Sequence, residues 1–201
     1  MEDKKYFSRQ IDESLMAWKN STRHKPLLLR GARQVGKSSS VRHLAKQFDN
    51  FVEINFERKP AYLEIFKGDR DAKHIVETIK SITGEPIVPG KTLLFFDEIQ
   101  MCQEAISSLR FFWEDMPGLH VIAAGSLLEF ALSEIPTFGV GRIHSMFMYP
   151  MSFDEFLNAL GMFSLQKYKR EASQEKPLLS ALHEQLVSLF RTYLMVGGMP
   201  E

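Results

Sequence analysis

Gly31-Ala32-Arg33-Gln34-Val35-Gly36-Lys37-Ser38 decides how the rest of this 201-residue sequence is read. Glycines at both ends let the backbone turn back on itself with its N–H groups aimed inward, and a helix beginning there adds the positive end of its dipole. The octapeptide fits G-x-x-x-x-G-K-[ST] at every fixed position, which makes it a cage for the phosphates of a nucleoside triphosphate. In such a loop the Lys37 ammonium lies between the β- and γ-phosphates, and the Ser38 hydroxyl is a ligand of Mg²⁺. Gly31, Ala32, Arg33, Gln34, Val35, Gly36, Lys37, Ser38 and Ser39 are the expected nucleotide-binding residues.

Both flanks agree with this reading. Pro26-Leu27-Leu28-Leu29-Arg30 is a short apolar run bounded by Pro and Gly, as a buried parallel strand requires. After the loop, Val41, Leu44, Ala45 and Phe48 recur at helical spacing, so one face of that helix meets a sheet. Upstream, residues 6–20 carry Phe7, Ile11, Leu15 and Trp18 at steps of three and four, predicting a helix beside the first strand. It is either a docking helix or, through Tyr6, Phe7 and Arg9, a border for the nucleotide base.

Downstream, Phe51-Val52-Glu53-Ile54-Asn55-Phe56 alternates apolar and polar residues, predicting a strand near a sheet edge. Helical stretches are expected over residues 62–66 and 72–82, ended by Gly84, Pro86, Pro89 and Gly90. Thr92-Leu93-Leu94-Phe95-Phe96-Asp97-Glu98 then ends four apolar residues in two carboxylates, the Walker B pattern. Taken alone, that run is also an ordinary strand end that caps the next helix. The 60-residue gap from Lys37 to Asp97 leaves room for the intervening helices and edge strand, and so favours Walker B. A parallel strand there puts both carboxylates at the rim that carries the phosphate loop. Asp97 is then the water-mediated Mg²⁺ residue, and Glu98 orients and deprotonates the attacking water.

A helix over residues 104–116 stops at Pro117-Gly118, and Leu119-His120-Val121-Ile122-Ala123-Ala124 reads as another buried strand closed by Gly125-Ser126. At that strand end Ser126 either senses the γ-phosphate or caps a helix starting at Leu127, and the two roles are compatible. Gly139-Val140-Gly141-Arg142 leads into an alternating fifth strand over residues 143–149. Ser152 and Glu155 form a capping box for a helix over residues 153–160. Residues 161–176 read as a loop or linker, and residues 177–196 as an amphipathic helix ended by Gly197-Gly198.

Composition narrows the function classes. Lys plus Arg equals Asp plus Glu at 25 each, so no global field draws the chain to nucleic acid or to anionic membrane. No apolar run approaches spanning length, and the six histidines lack metal-ligand spacing. The single cysteine, Cys102, with no signal-peptide pattern, points to a reducing cytoplasm.

These pieces together resemble the AAA-domain-containing ATPases widespread in bacteria and archaea, a branch near the archaeal ATPases and STAND NTPases. The resemblance rests on residues 30–38, Phe96-Asp97-Glu98-Ile99-Gln100, Ala124-Gly125-Ser126, Gly141-Arg142, residues 150–157 and Gly197-Gly198-Met199-Pro200-Glu201. It implies an α/β P-loop NTPase fold, a three-layer sandwich around a mainly parallel five-stranded sheet of order 5-1-4-3-2. It implies ATP as substrate, Mg²⁺ as cofactor and a charge-sensing arginine at Arg142, whose alternative is a strand arginine paired with a surface carboxylate. The expected division is an ATPase domain over residues 1–160, then residues 161–201 leading to a further C-terminal domain of unknown function. The partner that ATP turnover would serve, protein or nucleic acid, is not named by any motif.

Other classes fit less well. A kinase is disfavoured by the water-activating Asp97-Glu98 pair and by the lack of an arginine-rich lid. A GTPase is disfavoured by the absence of Asn-Lys-x-Asp, and a helicase needs a second lobe. The competing reading is a nucleotide-gated binding or scaffold module with negligible hydrolysis of its own.

Overall fold

A computed structural model describes residues 6–68, 71–126, 128 and 141–200. Leu127, Gly139, Val140 and Glu201, which the sequence reading used, lie outside the described residues.

Short, mainly apolar runs form the middle of the sheet because both of their faces must be covered. Strand β1 (Leu27–Arg30) lies between β4 (His120–Ala124) and β5 (His144–Phe147). Strand β3 (Thr92–Asp97) separates β4 from the edge strand β2 (Asn50–Asn55). The order is β2-β3-β4-β1-β5 and every pairing is parallel, which is the order the resemblance implied. Every residue of β3 and β4 is buried, whereas β2 alternates.

Strand alternation divides the core into two layers. Leu28, Leu94, Phe96, Val121 and Ala123 point to one face, where they pack with α3 (Ala72–Thr83) and α4 (Gln103–Asp115). Leu27, Leu29, Leu93, Phe95, Ile122 and Ala124 point to the other, under α1 (Ile11–Asn20) and α2 (Lys37–Ala45). Helix, sheet and helix make the expected three layers. A smaller apolar cluster of Leu157, Leu165 and Leu186 joins α5 (Phe153–Ala159), α6 (Phe163–Glu171) and α7 (Ser180–Val196).

Two sequence expectations are corrected. Residues 161–176 are not simply a loop, because Phe163–Glu171 is helical. Its surface is so polar that only Leu165 carries an apolar period, and that residue is buried against Leu157 and Leu186. The first helix starts at Ile11 and not at residue 6, because Asp12 accepts bonds from Tyr6 Oη (2.6 Å) and Arg9 N (2.8 Å) and holds the preceding arm in a turn. Among the described residues no helix is long and apolar enough to cross a membrane.

Candidate functional site

Parallel pairing puts the ends of β1, β3 and β4 on one rim, with Leu29 beside Ala124 and Asp97 beside Ala124. The phosphate loop leaves β1 at that rim. Gly31 has φ +149° there, and a Cβ would lie 2.2 Å from the Met148 carbonyl oxygen, so no other residue fits. Gly36 has φ +99° and opens α2, while Gln34 takes a left-handed φ of +64° at the loop tip. Two non-glycine residues, Gln34 and Glu98, hold this conformation among the described residues, and both belong to the site.

Lys37 is buried and donates from Nζ to the carbonyl oxygens of Gly31 (2.9 Å) and Ala32 (2.7 Å). Burial lowers its pKa, Arg33 pushes in the same direction, and the Glu98 and Asp97 carboxylates oppose both. The Asp97 and Glu98 carboxylates therefore act electrostatically on the ammonium from across the rim.

Ser38 Oγ donates to Asp97 Oδ1 at 2.8 Å, uniting the loop with β3. A hydroxyl and a carboxylate held this close are hard oxygen donors that suit Mg²⁺. Asp97 Oδ2 accepts from Asn55 Nδ2 at 2.9 Å, and Arg42 Nη2 lies 3.6 Å away. Burial raises the Asp97 pKa, the Ser38 bond opposes it, and Glu53 and Glu98 add to the rise. Glu98 follows in a left-handed conformation, with Oε2 accepting from Gln100 Nε2 at 2.6 Å. Gln100 in turn abuts the loop after β4, since a Cβ on Gly125 would lie 2.4 Å from Gln100 Oε1. Ser126 is buried there, and Arg33 Nε reaches its Oγ at 3.4 Å. Its capping role at Leu127 falls outside the described residues.

The rim thus gathers Lys37, Ser38, Asp97, Glu98, Ser126 and Arg33. It does not gather Arg142. β5 enters the sheet with His144 beside Leu27, at the opposite rim, and Arg142 precedes it. Its Nε meets Glu114 Oε1 at 2.5 Å on α4, half exposed, so the geometry takes the alternative of a surface ion pair. A residue that leads into a parallel strand lies at the end away from the ligand, so Arg142 is not part of this chain's own rim.

Beneath the loop is a pair that sequence reasoning did not find. Arg9 is buried and forks to Val35 O (2.6 Å), Tyr149 O (2.8 Å) and Glu155 Oε1 (3.0 Å). Glu155 also accepts from the backbone N–H of Gln10 and of Ser152, each at 2.7 Å. Burial alone would raise its pKa, but these two N–H groups and Arg9 outweigh that and hold it below the usual carboxylate range. Glu155 was legible as the acid of a capping box, which it is, but its second partner lies 146 residues away. Asn55 carried a weak signal as the polar end of an alternating edge strand in register with Asp97. Tyr6 stacks on His43 at 4.0 Å and bonds Ser40 Oγ at 3.0 Å, which serves the docking alternative for the N-terminal arm.

The chain's last described stretch returns to this point. Met151 N donates to Gly198 O at 2.6 Å, a Cβ on Gly198 would meet Met151 O at 2.5 Å, and Pro200 approaches Gly36.

Comparison with known proteins supports the reading from outside. A family model described as an AAA domain matches residues 23–157. No curated protein matches. Among solved structures, the Walker-type ATPase Paby2304 of Pyrococcus abyssi superposes with a TM-score of 0.56 at 18% identity, over 97% of this chain and 65% of that one. The chain therefore spans less than two thirds of that neighbour's length, and at this identity the likeness is one of fold.

Proposed function

The chain belongs to the AAA domain family, and from that premise we propose that it binds ATP with Mg²⁺ and hydrolyses it to ADP and phosphate. The observation that carries this reading is the bond from Ser38 to Asp97, which locks the phosphate loop to the strand ending in Glu98. Lys37, with the loop N–H groups, holds the β- and γ-phosphates. Ser38 and Asp97 are the residues that would hold Mg²⁺, whose charge when bound offsets that of the phosphate oxygens. Glu98 orients a water in line with the γ-phosphorus and takes its proton. Gln100 keeps that carboxylate turned toward the β4 end of the rim. Turnover of this kind times or drives a second event, in a protein or nucleic-acid partner or in a further domain.

Two variants of the full-length protein test the assignment. Lys37→Ala should abolish binding of a fluorescent ATP analogue, and unchanged affinity would remove the loop from the nucleotide site. Glu98→Gln should bind ATP normally and hydrolyse it about 10² to 10⁴ times more slowly. Wild-type hydrolysis by that variant would give the lead to a nucleotide-gated binding module. Repeating the assay with DNA, RNA and candidate proteins identifies which partner turnover serves.

A further inference from the structure

The γ-phosphate of a bound triphosphate needs positive charge where charge moves during cleavage, and Arg142 is at the wrong end of the sheet to give it. One other arginine is placed differently. Arg33 stands inside the phosphate loop, and its guanidinium crosses from the end of β1 to the end of β4, where Nε reaches Ser126 Oγ at 3.4 Å. Sheet order makes that crossing meaningful. β4 lies between β1, which feeds the loop, and β3, which ends in Asp97 and Glu98. A group over the end of β4 therefore stands between the phosphate cage and the residue that activates water. The charge of Arg33 is also felt at Lys37, whose ammonium marks the phosphate side of the loop. The side chain is exposed, makes a long neutral contact to Ser126, and among the described residues is not tied into a carboxylate pair, unlike Arg9, Arg42 and Arg142.

Resting on the ATPase reading above, we propose that Arg33 is the catalytic arginine of this site, supplied by the phosphate loop of the same chain. The step it serves is hydrolysis. A water oxygen forms a bond to the γ-phosphorus as the bond from that phosphorus to the β–γ bridging oxygen breaks. The electron pair of the broken bond stays on the bridging oxygen, which leaves as part of ADP. The proton lost by the water goes to the Glu98 carboxylate and from there to phosphate or solvent. Arg33 donates to the oxygens that gain charge during this exchange, so its contribution belongs to the transition state. An arginine placed in this way is generally worth about 10³ to 10⁵ in rate. A planar fork with five donors is needed to bridge two oxygens, so lysine is a poor substitute.

The test uses the full-length protein with Arg33→Ala and Arg33→Lys. Three quantities are read: affinity for fluorescent ADP and ATP analogues, single-turnover hydrolysis, and trapping of ADP with aluminium fluoride in the presence of Mg²⁺. Aluminium fluoride imitates the phosphoryl group in flight, and its capture does not depend on turnover. Arg33→Ala is expected to bind ADP within about threefold of wild type, hydrolyse at least about 10²-fold more slowly and fail to trap ADP with aluminium fluoride. Arg33→Lys should recover only a small part of both. Trapping or hydrolysis at the wild-type level by Arg33→Ala overturns the proposal and leaves the ATPase reading standing. Equal loss of ADP affinity and rate also overturns it, because the side chain then serves ground-state binding. A wild-type protein that binds ATP but neither hydrolyses nor traps refutes the ATPase reading itself.

Discussion

Replacing Arg9 by Met should be the most damaging single change outside the phosphate contacts, and its size follows from the partners that it leaves. Met keeps much of the side-chain volume but removes three bonds, to Val35 O, Tyr149 O and Glu155 Oε1. Breaking a buried ion pair from one side costs about 3–5 kcal/mol, most of it the penalty of stranding the remaining charge. Glu155 would keep the N–H groups of Gln10 and Ser152, which places the loss near the lower end, about 3 kcal/mol. For a chain of this size each kcal/mol moves Tm by about 2–4 °C, so the melting point should fall by roughly 6–12 °C. Urea titration at neutral pH measures the free energy directly. The sign with pH is also fixed. The folded pKa of Glu155 is depressed, so its contribution is present above the ordinary carboxylate value and is lost as pH falls through the folded value. The gap between wild type and Arg9→Met should accordingly be widest at neutral pH and shrink below about pH 4. Arg9→Lys should recover less than half of the loss, because a point charge cannot reach three acceptors in a plane. A loss under about 1 kcal/mol, or a gap that grows on acidification, would refute the reasoning.

Other outcomes follow from the same geometry. Arg142→Ala should leave single-turnover hydrolysis unchanged and cost under about 1 kcal/mol, since its partner Glu114 is also partly exposed; a tenfold slower rate would bring Arg142 back into the reaction. His120, stacked on His24 at 3.7 Å and bonded to Lys19 O, is pushed down to about 4, by burial first and then by His24 and Lys19. The unfolded chain takes up that proton near pH 6.5, so stability should decline as pH falls from about 6.5 toward 4, and His120→Phe should flatten the decline in urea midpoints.

The two ends of legibility in this sequence have a common cause. The phosphate loop and the Asp97-Glu98 strand were readable because each is a local pattern, and because a parallel sheet brings strand ends to one rim whatever lies between them. The order of the strands came from resemblance and not from any residue pattern. Arg9 and Glu155 were hidden because a charged residue at the start of an amphipathic helix looks like any solvated one until its partner, far along the chain, is known. Residues 163–171 looked like a linker because a helix that buries little more than Leu165 leaves almost no hydrophobic period. The charge-sensing role of Arg142 came from resemblance, and the sequence held the surface-pair alternative beside it without telling which end of the strand Arg142 occupies or that Glu114 would meet it.

The seat of Gly198 on Met151 gives the last helix a mechanical meaning. Tyr193 Oη also bonds Met151 O at 2.7 Å, so α7 is clamped by its C-terminal end to the segment whose Met148 carbonyl lies against Gly31. Any movement that lifts this end of α7 away from Met151 must break both hydrogen bonds, whereas the N-terminal end of the helix is not held by them. Leu194, Met195 and Val196 lie in the last turn of α7 between those two bonds, so this exposed apolar strip is carried on the part of the helix that is pinned most firmly to the phosphate loop's neighbour.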